Sequence, residues 1–173
     1  FFALEKPHHI ADLLEVSYAF LEYWLFIAPS KDKYQVFTLP KSSGGLRIIS
    51  VPTNNLKIIQ QKLNQVLQAI YPVKKPVHGF VKGKNIVTNA QVHVNQSYVF
   101  NVDLQDFFPS INFGRVRGLF ISKPYNLPDK VATVLAQICC HENVLPQGAP
   151  TSPIIANMIC GQLDDQLLYL AKK

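Results

Sequence analysis

The stretch Val99-Phe100-Asn101-Val102-Asp103-Leu104-Gln105-Asp106-Phe107-Phe108-Pro109-Ser110-Ile111 places an aspartate within a run of apolar residues. Apolar residues on both sides of Asp103 predict a buried strand that ends at this carboxylate, followed by a sharp turn at Pro109. A carboxylate beside a buried strand is costly unless it is paired or binds a metal ion. Asp103 is therefore a functional candidate, and the competing interpretation is that Asp103 or Asp106 caps the turn.

The charge of the chain is distributed unevenly along its 173 residues, which carry 17 lysines and arginines against 11 acidic residues. The length fits one domain or slightly more, and a hydrophobic content of 48% is ample for a core. No acidic residue occurs from position 33 to 102, whereas this block contains Lys33, Lys41, Arg47, Lys57, Lys62, Lys74, Lys75, Lys82 and Lys84. Because binding to phosphates releases counterions, such a block favours a nucleic-acid partner over a basic face that is merely solvated.

Cysteine usage and hydropathy exclude several other classes. Cys139, Cys140 and Cys160 are odd in number and lack C-x-x-C spacing, which favours a reducing compartment and argues against disulfides and zinc. The adjacent pair is interpreted as packing at a helix end. No membrane span, signal peptide or membrane-surface helix is predicted, so we expect a cytoplasmic protein, and the missing initial Met suggests a trimmed fragment.

Periodicity in the first half predicts helices around a hairpin. Residues 10–25 have helical spacing and predict one helix. Residues 34–39 and 46–51 predict two strands joined by the turn Pro40-Lys41-Ser42-Ser43-Gly44-Gly45, whose glycines permit positive φ. A helix over 56–70 follows, capped by Asn54 or Asn55.

The second half predicts further helices, which together with the hairpin and the central strand indicate an α+β fold. A short helix over 86–93 places Asn89 and His93 on one face. Asn112 caps a helix through Phe120, and Pro128 opens another. The last helix carries core residues to Leu170 and begins with Ser152 as its cap and Pro153 in its first turn.

Three motifs carry a resemblance to a known family. Asp103 opens the pattern D-x-x-x-F-F-P-S-I, and Leu145-Pro146-Gln147-Gly148-Ala149-Pro150-Thr151-Ser152-Pro153 precedes Ala156-Asn157-Met158. The third motif is Asn89-Ala90-Gln91-Val92-His93. Together they resemble the reverse transcriptases, specifically the bacterial retron-type group, over nearly the whole chain. The resemblance implies a right-hand polymerase fold with fingers at 1–96 and 113–151, a palm strand at 97–112, a palm helix at 152–173 and no thumb.

The resemblance also implies a site for two divalent ions, Mg²⁺ or Mn²⁺, and for a deoxynucleoside triphosphate. Asp103 matches the catalytic metal ligand, assisted by the carbonyl of Leu104. Phe108, beside Phe107, matches the aromatic gate that excludes a 2′-hydroxyl, although ordinary core packing is the competing interpretation. Asp106 fits a place near the triphosphate or a turn cap.

The remaining roles implied by the family fall on the hairpin, on one turn and on one helix. Arg47 matches an arginine that contacts the triphosphate in bidentate fashion, and Lys41 at the hairpin tip is a weaker match. Gln147 and Gly148 match a loop that contacts the template and the nucleotide. Asn89 and His93 correspond to residues that bind a structured RNA, or else they lock their helix onto the palm, which we favour slightly.

One family motif is absent from the chain. The second metal-binding motif, Tyr-x-Asp-Asp, does not occur, and Asp164-Asp165 is interpreted as a solvated helix face because it lies within a helix without the tyrosine. We therefore expect a fragment that is inactive alone, from a protein that copies an RNA template into an RNA/DNA hybrid. Its expected partners include a cognate non-coding RNA and, through exposed palm surface, a second copy of itself. The alternatives are a group II intron maturase-like or phage-defence reverse transcriptase, a non-catalytic RNA-binding module and a generic basic scaffold.

Overall fold

The computed structural model describes residues 1–42 and 44–172, so Ser43 of the predicted turn and Lys173 of the predicted palm helix lie outside the described residues. The described residues form helices and one hairpin, which confirms the predicted α+β class. The elements are α1 (Pro7–Leu13), α2 (Tyr18–Glu22) continued by a π-helical turn (Tyr23–Ile27), α3 (Ser30–Lys33), β1 (Tyr34–Pro40), β2 (Leu46–Pro52), α4 (Asn54–Ile70), α5 (Ile86–Gln91), α6 (Phe107–Ser110), α7 (Phe113–Ile121), α8 (Asp129–Cys139) and α9 (Ser152–Ala171).

The prediction of a single helix over residues 10–25 is wrong, because the helix is interrupted between α1 and α2. Glu15 has a φ of 49°, a left-handed conformation that ends α1. Two residues later the Ser17 hydroxyl accepts a hydrogen bond from the Phe20 amide at 3.2 Å and caps α2. The helical spacing of apolar residues therefore continues across the turn, and this spacing alone does not show that the helix is interrupted there.

The hairpin agrees with the prediction, since β1 pairs antiparallel with β2 from Tyr34 opposite Pro52 to Pro40 opposite Leu46. A lone two-stranded sheet is marginally stable in water, so its attachment to the helices matters. The buried Gln60 side chain of α4 supplies one attachment, because its Nε2 donates to Tyr34 Oη and to the Ile138 carbonyl, each at 2.8 Å. The base of the hairpin is thus fixed to α4 and α8.

Helix caps differ from the predicted ones in two of three cases. Thr53, and not an asparagine, precedes α4, and its hydroxyl donates to the Asp32 carbonyl at 2.7 Å. Asn112 caps α7 as predicted by accepting a hydrogen bond from the Arg115 amide at 2.9 Å. Ser152 lies just inside α9, where its hydroxyl donates to the Pro146 carbonyl at 2.6 Å.

The core lies between α1, α4, α7, α8 and α9. Its largest fully buried side chains are Phe120, Ile10, Leu14, Leu21, Ile59, Leu63, Leu67, Ile111, Leu135, Ile138, Leu145 and Ile155. Each such side chain contributes roughly 1.5–3 kcal/mol by leaving water. Cys139 and Cys140 are buried where α8 ends, which confirms their interpretation as packing, and burial raises the pKa of Cys140 to about 12.

The buried strand predicted to lead into Asp103 is not formed. Residues 98–104 have no regular secondary structure, and Tyr98 and Phe100 are 94% and 89% exposed. A strand requires a neighbour for its backbone N–H and C=O groups, and in the described part of the chain the only sheet is β1 with β2. The apolar run therefore stays uncovered.

Among the helices described, none has both the length and the apolar character needed to cross a bilayer.

Candidate nucleotide-binding site

A cavity of about 1140 Å³ lies between the hairpin, the 103–108 turn and the segment after α8. These three parts are distant in sequence. All nine residues to which the resemblance assigns metal or nucleotide contacts line this cavity: Lys41, Arg47, Asp103, Leu104, Asp106, Phe107, Phe108, Gln147 and Gly148. The fold thus brings together groups that the sequence separates by more than one hundred positions, from Lys41 to Gly148.

The hairpin provides the cationic wall of the cavity. Arg47 lies on β2 opposite Leu39, and its side chain has no hydrogen-bond or ion-pair partner within the described residues. Ile49 points to the same face, because side chains two apart on a strand share a face. A guanidinium that is not paired with protein carboxylates remains available for bidentate contact with a phosphate.

Asp106 forms an ion pair across the cavity instead of capping the helix that follows it. Its Oδ1 lies 3.6 Å from the Nζ of Lys41 at the hairpin tip. Asp106 precedes α6 without a side-chain capping bond and adopts a left-handed conformation with a φ of 47°. The turn-capping interpretation is therefore wrong for Asp106.

Asp103 lies in an exposed segment of the cavity wall, so the burial argument that first selected it is wrong. The arguments for Asp103 that remain are its position in the cavity wall and the chemistry of its carboxylate oxygen atoms. The Asp103 carboxylate and the Leu104 carbonyl are hard oxygen donors of the kind that Mg²⁺ prefers. Within residues 1–42 and 44–172, however, no three His, Cys, Asp or Glu side chains form a cluster that could hold an ion. The donors fit part of a magnesium site, and they are too few for two ions.

Phe107 and Phe108 are both half-buried at the cavity wall. Their rings meet edge to face with centroids 5.4 Å apart, and both pack against the hydrophobic core. The two interpretations of Phe108 are thus compatible, because one side of the ring packs inward while the residue also lines the cavity. A ring fixed by core packing has few rotamers and can act as a rigid steric barrier.

The Gln147-Gly148 turn is attached directly to the hairpin. The Ser50 amide of β2 donates to the Gln147 carbonyl at 2.7 Å. Gly148 has a φ of 114°, and a Cβ there would lie 3.1 Å from Ile49 Cγ2 and 3.1 Å from the Ser50 carbonyl oxygen. Only glycine allows this approach, so the contact couples the cationic wall to the turn.

Asn89 and His93 do not line the cavity. Asn89 is on α5, whereas His93 lies two residues beyond the end of that helix, so the predicted helix over 86–93 is too long. Both side chains are exposed, and neither has a side-chain hydrogen bond to any described residue. The preferred interpretation, in which they lock the helix onto the rest of the fold, is therefore wrong.

The basic block is partly neutralised by acidic residues from other segments. Lys41, Lys62 and Lys74 form ion pairs with Asp106, Glu15 and Asp165 respectively. In addition, Lys33 and Lys84 donate to backbone carbonyls. Within the described residues, the cations of the block without such partners are Arg47, Lys57, Lys75 and Lys82. The absence of acidic residues from these seventy positions of the sequence therefore overstates the unpaired positive charge that the block presents in the fold.

Asp164 and Asp165 lie within α9, as predicted, but they are not simply solvated. Asp165 pairs with Lys74, whose Nζ also donates to the Gly161 carbonyl. Partial burial raises the pKa of Asp164, an effect that Lys74 opposes. This pair connects the loop after α4 to the last helix.

Nine further residues line the cavity without a predicted role in the site, and of these Ile49 and Phe80 lie outside the quoted motifs and turn. Ile49 could have been found from strand alternation, since it shares a face with Arg47. Phe80, with its side chain two-thirds exposed, comes from the loop after α4 and has no local signal that places it near Asp103.

Cationic and carboxylate side chains facing each other across one cavity are typical of proteins that bind phosphorylated nucleotides. Residues 39–170 match the family described as "Reverse transcriptase (RNA-dependent DNA polymerase)". The chain therefore belongs to the reverse transcriptase family, and the family implies the polymerase fold.

Retron reverse transcriptases are among its relatives. The chain is 36% identical to the Retron Mx65 reverse transcriptase of Myxococcus xanthus over 95% of this chain and 43% of that protein. It is 38% identical to the Retron Ec86 reverse transcriptase of Escherichia coli over 81% of this chain and 44% of that protein. The Retron Mx162 reverse transcriptase of Myxococcus xanthus is 34% identical over 98% of this chain and 39% of its own length. The chain thus spans less than half the length of these relatives.

Proposed function

We propose that this chain is the nucleotide-binding part of a retron-type reverse transcriptase that copies RNA into DNA from deoxynucleoside triphosphates. The observation that carries the proposal is the convergence of Arg47, Lys41, Asp103 and the Gln147-Gly148 turn on one cavity. Residues 1–96 and 113–151 would form fingers, and residues 97–112 and 152–173 would form part of the palm. Membership of the reverse transcriptase family supports this proposed right-hand arrangement.

Each wall of the cavity has a part in this proposal. Arg47 and Lys41 bind the triphosphate, Gln147 and Gly148 contact the nucleotide and the template, and Phe108, beside Phe107, excludes a 2′-hydroxyl. Asp103 and the Leu104 carbonyl hold Mg²⁺ or Mn²⁺, which when bound stabilises the charge that develops during nucleotidyl transfer. Further carboxylates must complete that site, so the 173-residue chain alone binds nucleotide and does not polymerise it.

The proposed partners are an RNA template, the RNA/DNA hybrid and a cognate structured non-coding RNA. Exposed Asn89 and His93 support the last of these, because their side chains are free to make contacts outside the chain. We also propose a bacterial cytoplasmic protein with a role in antiviral defence. The alternatives are a maturase-like reverse transcriptase or a phage-defence reverse transcriptase outside the retron group, neither of which needs Asn89 and His93 to bind RNA. A non-catalytic RNA-binding module does not need Asp103.

Arg47→Gln is expected to weaken binding of dTTP with Mg²⁺ to the 173-residue chain by about ten-fold or more, as expected for loss of a charge-assisted contact. Isothermal titration calorimetry measures this change. Lys57→Gln is the matched control, because Lys57 is an exposed cation of the same block that does not line the cavity. Equal losses in both variants would show diffuse attraction and contradict the site. Templated DNA synthesis by the unmodified chain would contradict its proposed inactivity.

The uncovered apolar surface of the chain supports the proposal that the chain self-associates. Tyr98 and Phe100 are almost fully exposed, and α9 exposes Leu163, Leu167 and Leu170 at helical spacing. Apolar patches of this kind rarely stay bare. In sedimentation velocity at two protein concentrations, we expect the mean sedimentation coefficient to rise with concentration and Phe100→Ser to reduce that rise.

The matched control for self-association is Phe26→Ser. Phe26 is also exposed, but it lies on the π-helical turn after α2. A single monomeric species at both concentrations would refute self-association. A reduction of equal size from Phe26→Ser would refute the assignment to residues 98–104.

A further inference from the structure

Two opposite charges inside the cavity neutralise each other. The Lys41 ammonium lies 3.6 Å from the Asp106 carboxylate, and both residues line the cavity that Arg47 shares. The pair links the tip of the hairpin to the turn before α6, both of which line the cavity. A nucleoside triphosphate that enters the cavity therefore meets a lysine that already has an anionic partner.

We propose that Asp106 is an internal competitor for the triphosphate, which holds Lys41 until the nucleotide binds and then releases it. The inference rests on the proposed function of the cavity. In this proposal Asp106 acts on the site by holding Lys41 in an ion pair, and Asp106 is not itself a ligand of the nucleotide. Binding of a triphosphate exchanges one ion pair for another, so part of its electrostatic gain offsets the loss of the Lys41 to Asp106 contact.

The geometry of the pair suits such an exchange. Its side chains are 36% and 60% exposed, and at 3.6 Å the contact is long for a hydrogen-bonded ion pair. Exposed pairs of this kind are weak, so a polyanion with several charges can displace the carboxylate. Asp106 also holds a left-handed backbone conformation that its side chain does not use for capping, and such outliers cluster at functional sites.

The proposal fixes the sign of a substitution effect. Asp106→Asn removes the competing charge and keeps a residue that tolerates the left-handed conformation. Binding of inorganic tripolyphosphate to the 173-residue chain, measured calorimetrically without divalent cations, is expected to tighten about two- to five-fold, the range for loss of an exposed pair. If Asp106 were instead a direct ligand of the nucleotide, Asp106→Asn would weaken the binding of dTTP with Mg²⁺.

A double-mutant cycle separates competition for Lys41 from a general charge effect. In a Lys41→Gln background, Asp106→Asn is expected to tighten tripolyphosphate binding by less than about two-fold, because the ion pair no longer exists. The matched control is Asp129→Asn, which breaks the 3.0 Å ion pair with Arg117 away from this cavity and is expected to leave tripolyphosphate binding unchanged.

The outcomes distinguish this inference from the proposed function. Tightening by Asp106→Asn that disappears in the Lys41→Gln background supports the competition. An equal gain in both backgrounds, a gain from Asp129→Asn of the same size, or weaker binding in Asp106→Asn overturns it while the cavity remains a triphosphate site. Failure of the unmodified chain to bind dTTP overturns the proposed function and this inference with it.

Discussion

Gly148→Ala is expected to lower the free energy of unfolding of the chain by about 2–4 kcal/mol, the combined cost of a strained φ and of overpacking. The new Cβ would lie 3.1 Å from the Ser50 carbonyl oxygen, a backbone atom that cannot move without moving β2. Relief of these contacts must shift the turn relative to the hairpin by a few tenths of an ångström. Binding of dTTP is therefore expected to fall along with stability, and urea unfolding measures the first effect.

The matched control for Gly148→Ala is Gly83→Ala. Gly83 also has a positive φ, 79°, but a Cβ there would meet no atom within 4 Å. Gly83→Ala thus carries the backbone cost alone, about 1 kcal/mol or slightly more, and should leave nucleotide binding intact. Equal destabilisation by the two variants would contradict the steric account of Gly148.

Amide exchange gives a second, local measurement of the same contact. The Ser50 amide donates to the Gln147 carbonyl across this interface, so its exchange should accelerate more in Gly148→Ala than that of amides in α8. Unchanged protection at Ser50 would mean that the turn and the hairpin adapt together. The proposed coupling of the two cavity walls would then be wrong.

Local patterns predicted the elements whose sequence signals act within a few residues. The hairpin, α4 and α7 were found because strand alternation, helical spacing and the Asn112 cap act within a few residues. The break at Glu15 was missed because apolar spacing continues through it. Helix ends depend on single backbone conformations, which periodicity does not encode.

The segment before Asp103 shows a limit of a different kind. An apolar run specifies that residues 98–104 should be covered, but a strand also needs a partner, and no other segment of the described chain pairs with it. The same limit affects charge. An acid-free block looks strongly positive in sequence, yet Glu15, Asp106 and Asp165 reach it through space.

The composition of the candidate site was predictable from the motifs, and its internal contacts were not. The resemblance assigned metal or nucleotide contacts to nine residues, all of which line one cavity, whereas Asn89 and His93 of the third motif lie outside it. Nothing in the sequence shows that Asp106 faces Lys41, or that Gly148 is required by β2 as well as by any ligand. These contacts join segments that the chain order keeps apart.

Asp103→Asn is expected to abolish templated DNA synthesis in a polypeptide extended to the length of the retron relatives. The loss should reach about 10³-fold or more, since removing a ligand of a catalytic metal ion costs several kcal/mol and about 1.4 kcal/mol corresponds to a factor of ten. Asn keeps the shape of the side chain and removes its charge. Because Asp103 is exposed and outside regular structure, the substitution should leave the unfolding free energy nearly unchanged.

Primer extension on an RNA template with Mg²⁺ measures this loss, and Asp12→Asn on α1 is the matched control. Asp12 is also exposed, so its substitution removes the same charge from the surface outside the cavity and should leave synthesis unchanged. Synthesis retained in Asp103→Asn would favour a generic basic scaffold around a site that lies elsewhere. Absence of synthesis from the unmodified extended protein, with RNA binding intact, would instead favour a non-catalytic binding module. Loss specific to Asp103 assigns catalysis to a carboxylate whose predicted burial is wrong and whose position in the cavity supports the role.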